Sequence, residues 1–306
     1  MRILFSAVLL CFSVFASAAT LDKVVVFGDS LSDNGNIYEY MKHQFPVSPP
    51  YYKGRMTNGP VWAELLVESY FPGAVETHIL DYAIAGAAVV EGDDEPLFTL
   101  RGELESYFLS HQNKADDHTL YVIWIGSNNY LALPENADQA VRDVVAGIKR
   151  SLQQLADKGA KHVLILNLPD LGRTPAATEF EAVAELTSLS ERHNQQLLEL
   201  VEGFKQTSPS VQWLHFDVRS AMDDLLANPE ANGFTNITGT CYESSVDEPS
   251  LKIGLEVAST LKITSNKSAC DGYLFFDLLH PSAMAHQILA DRTRQLLQDS
   301  GINFAG

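Results

Sequence analysis

Gly28-Asp29-Ser30-Leu31 directly follows the apolar run Val24 to Phe27, and Asp277, His280 and Pro281 lie near the other end of the chain. A serine at the tip of a strand, with a histidine and a carboxylate elsewhere, is the set that acyl transfer needs. The hydroxyl is a poor nucleophile until a base takes its proton, and the base needs a carboxylate to orient it. Asp277 and His280 are three residues apart, so both side chains can face the same way at a turn or helix start. One ring nitrogen of His280 would then meet Asp277 and the other would face Ser30. Taken singly, each residue has a plainer reading. Gly-Asp-Ser is also a common turn cluster or helix N-cap, Asp277 could cap the final helix, and His280 could sit at the surface. The conjunction is what favours chemistry.

The elements that would position these residues are short apolar runs alternating with helical patterns. Val24 to Phe27, Ile79 to Ile84, Leu120 to Ile125 and His162 to Leu168 read as strands, and Val211 to Phe216 as a weaker one. The clearest are continuously apolar, as expected for parallel strands buried on both faces. Val141, Val144, Val145, Ile148, Leu152 and Leu155 recur at helical spacing, with Gly159 ending the helix. Leu186 to Phe204 and Ala285 to Leu297 carry two more helices, with Pro281 expected in the first turn of the last. This alternation predicts an α/β fold, a parallel sheet with helices on both faces. Ligands in such folds bind beyond the carboxyl ends of the strands, where Ser30 lies. Two stretches read as excursions from the layers: Pro46 to Pro60, and Asn228 to Asp271.

Arg2, the apolar run Ile3 to Phe15 and Ala16-Ser17-Ala18 make residues 1–18 a secretory signal peptide, cut after Ala18 or Ala19. Cys11 lies too deep in the apolar region for a lipoprotein signal. The remainder, 19–306, is expected to be a single domain, exported and periplasmic or extracellular. No later segment carries about 18 uninterrupted apolar residues, so no stable membrane insertion is expected. The formal charge of -18 argues against nucleic acid and against electrostatic docking on anionic bilayers. With Cys11 removed, Cys241 and Cys270 are an even pair in an oxidising compartment, and only one pairing exists. That bridge would close a loop of about 28 residues and contribute about 3–4 kcal/mol in the chain-entropy model.

Further blocks complete the pattern. Gly28 to Asp33 with Gly35-Asn36, Asp81 to Ala87, Gly126-Ser127-Asn128-Asn129 and Asp277-x-x-His280-Pro281 follow in this order. Together they resemble the GDSL, or SGNH, hydrolases over nearly the whole mature chain. The resemblance implies a three-layer, flavodoxin-like fold and a role for each matched residue. Ser30 would be the nucleophile, His280 the general base and then acid, and Asp277 its orienting group. The backbone N–H groups of Ser30 and Gly86, with the Asn128 side chain, would form the oxyanion hole. Two positions depart from the family pattern: Asn129 stands where Asp is usual, and Asp81 where Asn is frequent. The stretch Pro49-Pro50-Tyr51-Tyr52, Gly54-Arg55, Thr57-Asn58-Gly59 and Trp62 resembles the secreted bacterial lipolytic branch of phospholipases, lysophospholipases and glycerophospholipid–cholesterol acyltransferases. No binding role attaches to its residues individually.

The expected activity is thus that of a secreted serine esterase on acyl esters of glycerophospholipids, lysophospholipids above all, with water or a sterol as acceptor. No cofactor and no metal is expected, since no His-Glu-x-x-His or Cys-x-x-Cys pattern occurs. No glycine-rich phosphate loop follows the first strand. His193, on an apolar helical face, reads as a core histidine. Two other readings remain: a short-chain or carbohydrate esterase on the same triad, and a non-catalytic exported lipid- or surface-binding module. Ile253, Leu255 and Val257 alternate within the 241–270 loop. They suggest either a lid or plug opened by an activating protease, or a hairpin packed on the core.

Overall fold

The computed structural model describes residues 20–90, 98–242 and 270–305. Residues 1–18, expected as a signal peptide, and the alternating stretch Ile253 to Val257 lie outside the described residues. Among the described residues nine strands run in chain order: β1 Thr20–Leu21, β2 Lys23–Gly28, β3 Ile79–Asp81, β4 Thr119–Trp124, β5 His162–Leu166, β6 Gln212–Phe216, β7 Asn236–Thr240, β8 Tyr273–Phe275 and β9 Asn303–Phe304. The central sheet has the order β3-β2-β4-β5-β6 and is parallel throughout. Counting only its own strands, that is 2-1-3-4-5, the doubly wound order whose switch point lies between the first and third strands. Here the switch point separates the carboxyl ends of β2 and β4.

The strands form because their residues can be buried on both sides. Val25, Phe27, Tyr121, Ile123, Val163 and Ile165 face one apolar layer, packed on helices Leu100–Ser110, Ala137–Asp157 and Val183–Thr207. Val24, Val26, Leu120, Val122, Leu164 and Leu166 face the other, packed on helices Trp62–Tyr70 and Ala283–Asp299. The alternation explains the unbroken apolar runs: neighbouring residues serve opposite layers. Burial of each such side chain contributes about 1.5–3 kcal/mol.

Several expected boundaries shift. The strand expected over Ile79 to Ile84 stops at Asp81, whose half-buried carboxylate accepts the backbone N–H groups of Asn34 and Ala83 and turns the chain out of the sheet. The strand from His162 ends at Leu166 instead of Leu168, because Asn167 and Leu168 take side-chain partners: Asn167 Nδ2 donates to Asp217, and Leu168 N–H donates to Asn194. Pro281 is not in the first turn of the last helix. Ser282 is the N-cap, and Pro281 bridges back to Phe275. The helix Ala137–Asp157 covers the expected pattern, and Gly159 follows it at φ 111°.

β7 and β8 pair beside the sheet, and β1 and β9 pair the two ends of the described chain. Cys241 and Cys270 are joined, with Cα atoms 4.9 Å apart. Among the described residues no helix is long and apolar enough to cross a membrane.

Candidate active site

Ser30 sits in the tight turn that follows β2. Gly28 makes the turn possible, because a Cβ there would lie 2.3 Å from the Trp124 carbonyl oxygen on β4. The Asp29 carbonyl accepts from Ser32 N–H at 3.0 Å and Asp33 N–H at 3.1 Å. Asp33 holds the turn against the next block, accepting backbone N–H groups from Gly35, Ile37 and Ala85. These bonds reproduce in space what the sequence spacing encodes locally.

The far end of the chain brings the other two residues. Asp277 Oδ1 accepts the N–H groups of Leu279 at 2.9 Å and His280 at 2.8 Å, so the carboxylate folds its own loop. It therefore caps a turn rather than the last helix. His280 Nδ1 lies 2.9 Å from Asp277 Oδ1 and 2.8 Å from Oδ2. His280 Nε2 lies 2.8 Å from Ser30 Oγ. All three side chains are buried. A buried carboxylate that accepts Nδ1–H leaves Nε2 unprotonated toward the hydroxyl, the tautomer a base requires. The chain of contacts can thus move a proton from Ser30 to His280.

Asp29 is also close, but burial pushes its carboxyl up to about 7, against the opposing pull of the Leu31 N–H and of His280. Its Oδ1 accepts Leu31 N–H at 3.1 Å, while the two ring nitrogens of His280 meet Asp277 and Ser30. The carboxylate in contact with His280 Nδ1 is that of Asp277, not Asp29.

Gly86 lies at the turn after β3 with φ 85°, a left-handed conformation that suits glycine. Asn128 follows β4, across the switch point from Ser30. Its Nδ2 donates to the Ala87 carbonyl at 2.7 Å, tying the third block to the second. One amide N–H of Asn128 is thereby committed, and the other meets no acceptor among the described residues. Neither the backbone N–H of Ser30 nor that of Gly86 finds an acceptor among the described residues. The structure thus brings Ser30, Asp277, His280 and Asn128 to one end of the sheet, with Gly86 beside the residue that anchors Asn128.

The two departures from the family pattern have local reasons. Asn129 accepts Val89 N–H through Oδ1 at 2.9 Å and donates Nδ2 to the Val90 carbonyl at 3.0 Å, which a carboxylate could not do. Asp81 accepts one N–H on each oxygen, from Ala83 and Asn34, where an amide would offer only one acceptor. Asn129→Asp is expected to cost about 1–3 kcal/mol of stability through the lost donor. A denaturant titration measures that loss, while turnover at saturating substrate should stay within a few-fold of the parent.

Both excursions grip the loop that carries Asp277 and His280. From the first, Tyr51 O–H donates to Asp277 Oδ2 at 2.8 Å, Thr57 Oγ1 donates to the Pro281 carbonyl, and Asn58 accepts Ala283 N–H. Trp62 N–H donates to Nδ1 of His286, which burial holds neutral at about 3. From the second, the N–H groups of Cys241 and Tyr242 donate to the carbonyls of Phe275 and Phe276. Sequence reasoning marked these stretches but missed each of these contacts, because none has a local period. It also missed Glu103, whose carboxyl accepts Gly28 N–H at 2.9 Å beneath the Ser30 turn. His193 is buried as expected, with Nδ1 2.8 Å from Tyr130 O–H.

Ser30, Asn128 and His280 line one cleft. Its walls include Leu171, Met222, Leu225, Leu226, Ile288 and Leu289, and Arg173 and Arg292 also line it.

The chain is similar to a phosphatidylcholine-sterol acyltransferase of Aeromonas hydrophila, 30% identical over 306 residues and covering 90% of each chain. It is 26% identical to a thermolabile hemolysin of Vibrio parahaemolyticus over 89% of this chain, spanning 63% of that protein's length. A carbohydrate acetylesterase structure from Sinorhizobium meliloti aligns with a TM-score of 0.49 at 15% identity, covering 91% of this chain and 99% of that one. The model of the GDSL-like Lipase/Acylhydrolase family matches residues 24–293, from the strand before Ser30 into the helix after His280, and to that family the chain belongs.

Proposed function

We propose that this ester hydrolase acts on acyl esters of glycerophospholipids, with lysophospholipids as the preferred substrates. The observation that carries the reading is the cleft, in which Ser30, Asn128 and His280 share walls with leucine, isoleucine and methionine side chains. An apolar groove beside a nucleophile fits a long acyl chain better than an acetyl group. The similarity to a phosphatidylcholine-sterol acyltransferase supports a lipid acyl donor and a sterol as a second acceptor.

In this reading Ser30 Oγ attacks the acyl carbonyl as His280 Nε2 takes its proton. Asp277 holds the imidazolium that forms. The tetrahedral oxyanion is met by the N–H groups of Ser30 and Gly86 and by Asn128 Nδ2. When the intermediate collapses, His280 passes the proton to the departing glycerol oxygen, leaving an acyl-enzyme. Water, or a sterol hydroxyl, gives its proton to His280 and attacks the acyl carbon; as this second intermediate collapses, His280 returns the proton to the departing Ser30 Oγ, releasing a fatty acid or a sterol ester. Residues 1–18 are a signal peptide removed on export, and 19–306 form a single hydrolase domain.

The test is a panel of lysophosphatidylcholine, diacyl phospholipid, triglyceride and acetylated sugar, with Ser30→Ala as control. Long-chain lysophosphatidylcholine should be turned over fastest, and Ser30→Ala should lower kcat by roughly 10⁶-fold. Fastest turnover of the acetylated sugar would make the protein a carbohydrate esterase. Undiminished turnover of every substrate by Ser30→Ala would leave only a lipid-binding module. Repeating the panel after limited proteolysis, with the cut mapped between Cys241 and Cys270, tests the loop: unchanged turnover rules out a plug.

A further inference from the structure

Tyr51 is the one side chain outside the Asp277 loop that bonds the Asp277 carboxylate among the described residues. It comes from a segment 226 residues away in sequence. Its hydroxyl donates to Oδ2 at 2.8 Å, the oxygen that also lies 2.8 Å from His280 Nδ1. Its ring is buried and packs edge-on against Phe276, centroid to centroid 4.9 Å, so the phenol has little freedom to turn away. Tyr52 N–H donates to the Thr57 carbonyl at 2.8 Å, and Thr57 Oγ1 donates to the Pro281 carbonyl, so the segment is fastened on both sides of the site.

We propose that Tyr51 is a positioning residue of the ester hydrolysis, acting through Asp277 on the orientation and basicity of His280. The inference rests on the reading of Ser30, His280 and Asp277 as a triad. Both oxygens of Asp277 lie within reach of His280 Nδ1, and they differ in their other partners. Oδ1 is committed to the N–H groups of Leu279 and His280. Among the described residues Oδ2 has no backbone donor, and Tyr51 supplies its only hydrogen bond apart from His280. Without it the carboxylate can rotate about its last bond and lose the shared contact with Nδ1. Tyr51 also draws carboxylate charge toward itself, which tempers how strongly Asp277 stabilises the imidazolium. The phenol stays a donor, since burial and the neighbouring Asp277 push it well above the usual phenol range.

The sign of the effect follows. Removing the hydroxyl leaves more negative charge facing His280, so the ring holds its proton to higher pH. The acidic limb of kcat/KM, which requires the neutral ring, then moves up. Other titratable groups face His280 as well: Asp29 from the turn after β2, and His286 from the last helix. Both are the same in the parent and the variants, so a difference between their limbs belongs to position 51.

The experiment compares the parent, Tyr51→Phe and a protein carrying 3-fluorotyrosine at position 51, with Ser30→Ala as control. The substrate is a soluble long-chain lysophosphatidylcholine below its aggregation limit. Tyr51→Phe should lower kcat about tenfold, the usual effect of one hydrogen bond to a charged group, with KM little changed. Its acidic limb should move to higher pH. Fluorotyrosine, a stronger donor that keeps the hydroxyl and the fold, should move the limb to lower pH. A Tyr51 that only packs against Phe276 would leave both limbs where the parent has them, and that result overturns the proposal. Turnover by Ser30→Ala equal to the parent would overturn the triad reading instead, so the two failures are distinguishable.

Discussion

Asp277→Asn is expected to lower kcat by about 10⁴-fold while leaving the fold intact. The carboxylate oxygens are not equivalent. Oδ1 receives the N–H groups of Leu279 and His280, so the amide oxygen of the variant must take that place. The new NH₂ then faces Tyr51 O–H and His280 Nδ1. Tyrosine can accept that bond by turning its hydroxyl. Histidine can accept it only as the tautomer with Nδ1 bare and Nε2 protonated. Nε2–H then points at Ser30 Oγ, 2.8 Å away, and cannot take its proton. A single-turnover assay with an activated acyl ester reads the loss directly. A thermal melt close to that of the parent would show that the loss is chemical. A variant that retains a tenth or more of the parental kcat would sink the assignment of Asp277.

Asn128→Ala should lower kcat by about 10²–10³-fold with little change in KM. Nδ2 is fixed by the Ala87 carbonyl at 2.7 Å, so its second N–H is pre-oriented and needs no reorganisation as charge develops on the substrate oxygen. A donor that strengthens only in the transition state affects kcat rather than ground-state affinity. Steady-state kinetics across a chain-length series separates the two parameters. A rise in KM with kcat unchanged would make Asn128 a binding residue instead. Asn128→Asp should be worse than alanine, because a carboxylate would repel both the Ala87 carbonyl and the developing oxyanion.

Asp277 and Asn128 differ in how far the sequence alone reveals their surroundings. Asp277 and His280 are legible together, because a turn of three residues is a local object and its bonds are made within the loop. Asn128 is legible only as a member of an ordered set of blocks. Nothing in Gly126-Ser127-Asn128-Asn129 by itself says that it will stand opposite Ser30. The central strands were readable as apolar runs, since double-sided burial leaves few polar residues between their ends. Their ends were less so. Asp81 and Asn167 stop two strands through side-chain bonds to distant partners, and such bonds carry no period.

By itself, the sequence determined the α/β class, the serine at a strand tip, the Asp277–His280 turn and the only possible pairing of Cys241 with Cys270. Each depends on neighbours within a few residues or on simple counting. The tertiary structure decided the strand order that sets the ends of β2 and β4 on either side of the switch point. It also decided the apolar cleft between remote helices and the placement of Tyr51 on Asp277. The Tyr51–Asp277 contact joins residues 226 positions apart. A hydrogen bond across that separation constrains two residue types but leaves no pattern between them, so only the folded chain reveals it.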